Sequence, residues 1–161
     1  MGSGFGRKRL SENPESAVNL DVRLLDKVDL AFSTAADQAE EAIRSAPPGA
    51  DIGVHFEAGL GAVLASAAAH PDATRLCLVE APGLGAKAVE RKEAGLQRFV
   101  DLLDRELAAE HGGSPPPLVA EMVVGGIYEV AQRATRAGEI AGLPALTGQL
   151  TELWLPALQR R

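Results

Sequence analysis

The sequence predicts an all-α protein on three observations. Apolar residues make up 46% of the 161 residues and recur mostly at steps of three and four, the spacing of one helix face. They are chiefly Ala, Leu and Val, with aromatics at only 4%, which suits close-packed helices better than strands. No segment alternates apolar and polar residues with period two. The length is that of one domain with a real core, so residues 1–19 are expected to form a poorly ordered lead and residues 20–161 one helical domain.

The lead carries Arg7-Lys8-Arg9 and then Ser-Glu-Asn-Pro-Glu-Ser, with neither periodicity nor apolar content, and reads as a solvated tail. From Leu20 the pattern changes. Leu20, Leu24, Val28, Phe32, Ala35, Ala39 and Ile43 predict a long helix that stops before Pro47-Pro48-Gly49. Asp51 is placed to cap a second helix with a core face of Phe56, Leu60, Val63, Leu64 and Ala67, ending before His70-Pro71. The short apolar run Ala73 to Ala81 breaks at Pro82-Gly83, with a further glycine at Gly85, and predicts an interrupted helix. Ala86 to His111 resumes the helical period through Val89, Leu96, Phe99, Val100, Leu103 and Leu107, with Asp101, Asp104, Arg105 and Glu106 opposite. Gly112-Gly113 ends it, before a proline loop.

The next helix, Leu118 to Ala137, is apolar on too many sides for a surface helix. Its Gly125 and Gly126 each cost roughly 1 kcal/mol against Ala in a helix interior, so another backbone is expected to come close there. A final helix with Pro144 in its first turn carries the stripe Leu143, Leu146, Leu150, Leu153 and Trp154, with Leu155 and Leu158 off the stripe. Both helices seek more cover than one subunit offers. The simplest cover is the same pair from a second copy, a twofold four-helix interface built on Gly125, Gly126, Val130, Leu146, Leu150, Leu153 and Trp154.

Sixteen basic against twenty-two acidic residues give a net charge of −6, which provides no electrostatic footprint for nucleic acid or an anionic membrane. The single Cys77 cannot form an internal disulfide and sits in an apolar run, where a reduced, buried thiol is expected. No apolar stretch reads as reaching the roughly 18 residues of a membrane span, and no signal peptide is evident. The expectation is a soluble cytoplasmic protein.

The ordered set Arg75-Leu-Cys-Leu-Val-Glu-Ala-Pro-Gly-Leu-Gly, Phe99-Val-Asp-Leu-Leu, Val124-Gly-Gly-Ile-Tyr-Glu and Leu146 through Trp154-Leu-Pro resembles the C-terminal regulatory domain of TetR-type repressors. The likeness covers roughly residues 24–158. It implies about six helices, the last two pairing with those of a second subunit, and a small lipophilic effector held among the middle ones. The family's N-terminal end departs here. Lys27 stands in the position of the lysine that closes the helix-turn-helix domain, but Leu24 and Asp21 replace the family's Phe and Tyr. The upstream residues offer no recognition helix, so no DNA binding by this chain alone is expected, only through a missing N-terminal domain or a full-length partner.

The candidate ligand-binding residues are Phe56, Leu60 and Leu64, then Phe99 and Leu103, then Met122 and Ile127, whose apolar character suits a lipophilic effector or a plain core. Glu80, in an apolar run, needs a partner: Arg75, Arg91 or Arg98, unless it anchors the ligand. His55 is read as a partly exposed histidine or as a pH- or ligand-linked group. His70 and His111 close helices, where a cation suits the macrodipole. Enzyme chemistry is not expected: nothing near Cys77 resembles an activated thiol, no His, Cys and carboxylate spacing suggests a metal, and Gly83-Leu-Gly-Ala lacks the pattern of a phosphate or dinucleotide loop. No cofactor is expected. The rival reading is a helical homodimeric scaffold without ligand, possibly one that pairs with full-length regulators and disables them.

Overall fold

The computed structural model describes residues 14–114 and 116–160, which form helices and turns with no strand among the described residues. The helices are α1 (Pro14–Arg44), α2 (Ile52–Ala69), α3 (Pro71–Arg75), α4 (Ala86–His111), α5 (Val119–Arg136) and α6 (Thr147–Leu158). A π-helical turn, Leu76–Glu80, and a 3-10 turn, Ala81–Leu84, continue α3, and a second 3-10 turn, Ile140–Leu146, leads into α6. The all-α expectation is met.

The first helix starts earlier than Leu20. It begins at Pro14, a residue whose fixed φ suits a first helical turn and whose missing N–H costs nothing there. The helix thus covers residues 14–19 of the expected lead, and residues 1–13 of it lie outside the described residues. Val28, Phe32, Ala36 and Ala39 carry the buried stripe of α1. Its flank is joined to α4 by ion pairs of Arg91 with Asp29, Arg98 with Asp37 and Arg105 with Glu40. The three arginines recur every seven residues along one edge of α4, and the Arg105 guanidinium holds the Glu40 carboxyl below its ordinary range. Such exposed pairs stabilise little individually, but together they fix which turn of α4 faces which turn of α1. Gly95 makes the close crossing possible: a Cβ there would lie 2.7 Å from Cδ2 of Phe32.

The second helix begins as expected, with Asp51 accepting from the Val54 N–H at 3.1 Å. It is the central helix, packed by α1, α4, α6 and the 3-10 turn before α6. Its 18 residues are long and apolar enough to cross a membrane by length and composition alone. This corrects the expectation that no stretch reaches that length: His55, Glu57 and Ser66 interrupt the run, but its mean hydropathy stays high. In this fold Ile52, Phe56, Leu60 and Leu64 face the protein interior.

A main core unites Ile52, Leu64, Leu107, Val123, Leu143 and Leu158, and a smaller one gathers Val28, Phe32, Leu76, Cys77 and Ala88. His111 closes α4 as expected, with an added role: its Nε2 donates to the Leu158 carbonyl at 2.9 Å, tying the ends of α4 and α6 together.

Candidate functional site

Between the two cores lies a cavity of about 370 Å³. Four helices wall it because each presents branched or aromatic side chains at helical spacing toward the same space. Phe56, Leu60 and Leu64 come from α2, Phe99 and Leu103 from α4 and Ile127 from α5. Phe32 of α1 and Cys77 and Leu78 of the π-helical turn complete the wall. The rings of Phe32 and Phe99 meet edge to face, with centroids 6.5 Å apart and planes at 61°, a favoured aromatic geometry. Gly59 and Ala67 of α2 also line the space; at Gly59 a Cβ would lie 3.0 Å from Cδ1 of Ile43, so the glycine there serves the close crossing of α1 over α2.

Two expected wall residues lie elsewhere. Met122 is 63% exposed and is absent from the cavity lining: α5 is apolar around much of its circumference, and the face that turns inward carries Val123, Val124 and Ile127 instead. Glu80 is on the surface and its Oε1 accepts from Arg75 Nε at 3.2 Å, one of the three arginines expected as partners. Its place in an apolar run misled because the turn it closes is π-helical, which swings it outward while Leu76, Cys77 and Leu78 stay buried.

The π-helical turn is held from α5. Gln132 Nε2 donates to the Leu78 carbonyl at 2.6 Å and to the Tyr128 hydroxyl at 3.1 Å. Tyr128 reaches the same carbonyl at 3.4 Å, and burial pushes its phenol above the ordinary range. Cys77 is buried, and burial pushes its thiol up to about 11, the opposite of an activated nucleophile. Among the described residues no three His, Cys, Asp or Glu side chains come together as a metal site.

One polar pair stands on the wall. His55 Nδ1 lies 2.9 Å from Glu106 Oε2, and both side chains line the cavity with about a quarter of their surface exposed, 27% and 21%. The sequence pattern puts Glu106 on the polar face of α4, but it follows Leu103 by one helical turn and lines the cavity with it. No sequence signal pairs residues 55 and 106, which meet only through the crossing of α2 and α4.

The residues expected at a subunit interface divide. Leu150 is buried in this chain's own core, and Val130, Leu146 and Trp154 pack against it. At Gly126 a Cβ would lie 2.7 Å from Cζ2 of Trp154, so the close approach inferred there is made by an indole of the same chain, not by a partner's backbone. Gly125 has nothing close to it. Leu153, at 67% exposed, joins Leu118 and Met122, at 64% and 63%, as large apolar side chains in solvent. Trp154 Nε1 is buried without a hydrogen-bond partner among the described residues.

Comparison with family models, with curated proteins and with solved structures found no match.

Proposed function

We propose that this chain is a TetR-like ligand-binding and dimerisation domain that senses a small lipophilic effector. The observation that carries the reading is the cavity of about 370 Å³ between the two cores, in the size range of small-molecule sites and walled largely by aliphatic and aromatic side chains. Dimerisation is supported by Leu118, Met122 and Leu153. Met122 lies one helical turn before Gly126 and Leu153 lies beside Trp154, so the two flank the contact of α5 with α6. Leu118 adds an unusual feature: it holds φ 66°, a left-handed conformation that costs a branched residue roughly 1–2 kcal/mol. A large apolar side chain kept exposed at such a position is best used by a second copy. The effector would act by fitting one spacing of the paired subunits better than another and shifting the population toward it.

The buried, protonated thiol of Cys77 supports a binding protein in preference to an enzyme, and the net charge of −6 supports DNA contact only through another domain or partner. We place it in the cytoplasm. The exposed apolar residues would also serve a helical scaffold without ligand, one that captures full-length regulators; the cavity favours the sensor. Native mass spectrometry of the purified chain tests both parts. A dimer carrying added small-molecule mass is the expected spectrum. A monomer would remove the dimerisation reading, and a dimer that takes up no lipophilic compound from a screened panel would leave the scaffold.

A further inference from the structure

The cavity wall is mostly apolar; besides His55 and Glu106 its polar residues are Thr34, Ser66, His70, Thr74 and Tyr128, and His70 Nδ1 lies 3.0 Å from the Ser66 carbonyl. Thr74 Oγ1 donates to the Ala67 carbonyl at 2.8 Å and the Tyr128 hydroxyl is engaged with Leu78 and Gln132. His55 and Glu106 differ. The Glu106 carboxylate only accepts, so the proton of their 2.9 Å contact belongs to Nδ1. That leaves Nε2 of the same ring, which has no hydrogen-bond partner among the described residues, on a side chain that lines the cavity. We propose that His55, oriented by Glu106, is the polar anchor of the effector, and that the effector is a lipophilic molecule ending in a hydroxyl, an alcohol or a phenol. This rests on the cavity being an effector site.

The chemistry selects among ligand ends. A neutral imidazole accepts at Nε2 and an imidazolium donates there; a hydroxyl does either, so it satisfies the ring in both states. A carboxylate end would stand close to the Glu106 carboxylate in poorly solvated surroundings, where like charges repel strongly. An ammonium would compete with the Nδ1–H for Glu106 and set donor against donor. A wholly apolar ligand would strip water from the pair and return nothing.

The test compares para-butylphenol, butylbenzene and para-butylbenzoate by titration calorimetry on the full chain at neutral pH. The phenol is expected to bind about fivefold to tenfold tighter than butylbenzene, the value of one net hydrogen bond, and the benzoate more weakly than either. His55→Leu is expected to abolish the preference for the phenol over butylbenzene. Glu106→Gln keeps an acceptor for Nδ1 and removes the charge, so para-butylbenzoate is expected to gain affinity severalfold. Equal affinity for phenol and butylbenzene in the unaltered chain overturns the anchor and leaves the lipophilic cavity standing, as does a benzoate still excluded by Glu106→Gln. Failure of all three compounds to bind overturns the effector site beneath it. Should His55→Leu not fold, the Glu106→Gln gain decides alone.

Discussion

Gln132 Nε2 donates to the Leu78 carbonyl at 2.6 Å, joining the middle of α5 to the π-helical turn that walls the cavity. Pro82, four residues on from Leu78, has no N–H to give that carbonyl, and a buried carbonyl without its helical donor must find one elsewhere. Gln132, itself buried, supplies it. The bond also links the cavity wall to the helix proposed to meet a second subunit.

Gln132→Leu keeps the volume and removes the donor. Loss of about 1–3 kcal/mol is expected, the cost of a buried carbonyl left short of partners. Urea denaturation with an unchanged slope and a lower midpoint checks it. Tyr128 at 3.4 Å is too distant to compensate fully, so a midpoint that does not move would mean water already satisfies Leu78.

Gly126→Leu drives a branched side chain into the Trp154 ring. Overpacking of this kind costs about 1–3 kcal/mol, more than the roughly 1 kcal/mol gained by replacing Gly in a helix. Because the clash is within one chain, the loss should not depend on protein concentration. The chain has one Trp, so its emission reads the displacement directly; an unaltered spectrum and midpoint would place the indole elsewhere.

Leu153→Glu and Met122→Lys alter exposed positions and should change the stability of the fold by less than about 0.5 kcal/mol. Each is expected to convert a dimer to monomer in sedimentation velocity with the helical circular dichroism retained. Leu118→Asn separates the two roles of that residue: relief of the left-handed conformation should raise monomer stability by about 1 kcal/mol, while self-association weakens. A dimer indifferent to all three substitutions would put the interface on another face.

Burial raises the Cys77 thiol from 9.0 to about 11, so between these values the folded chain holds a proton that the unfolded chain releases. Stability is therefore full below pH 9 and falls as pH rises toward 11, by about 2–3 kcal/mol at most. Cys77→Ala should flatten this alkaline decline in pH-dependent denaturation. A decline of the same depth in the variant would assign it to other groups, such as the Tyr128 phenol.

Periodicity located the main helices because each buries a stripe at fixed spacing, and the Asp51 cap and the Gly112 stop act locally, but the final helix begins at Thr147 and Pro144, expected in its first turn, lies with Leu143 and Leu146 in the preceding 3-10 turn. It failed where geometry is decided between elements. On α5 apolar residues cover so much of the surface that spacing alone could not say whether Met122 or Val123 turns inward. Gly126 announced a close neighbour, yet an indole from α6 and a partner's backbone leave the same mark in a sequence. The π-helical turn has no signature in five residues, and without it Glu80 reads as buried. The meeting of His55 with Glu106 depends on the crossing of α2 and α4, which no local pattern encodes.

The apolarity of α2 has a consequence for how the chain is made. This 18-residue helix leaves the ribosome after α1 and before α4, the last 3-10 turn and α6, which also pack on it. Until Leu158 is in place, the nascent protein displays a segment with the length and composition of a membrane span, the kind of surface that aggregates or recruits chaperones. Folding is thus coupled to completion of the C-terminal half, and a chain stopped near residue 140 is expected to appear in inclusion bodies.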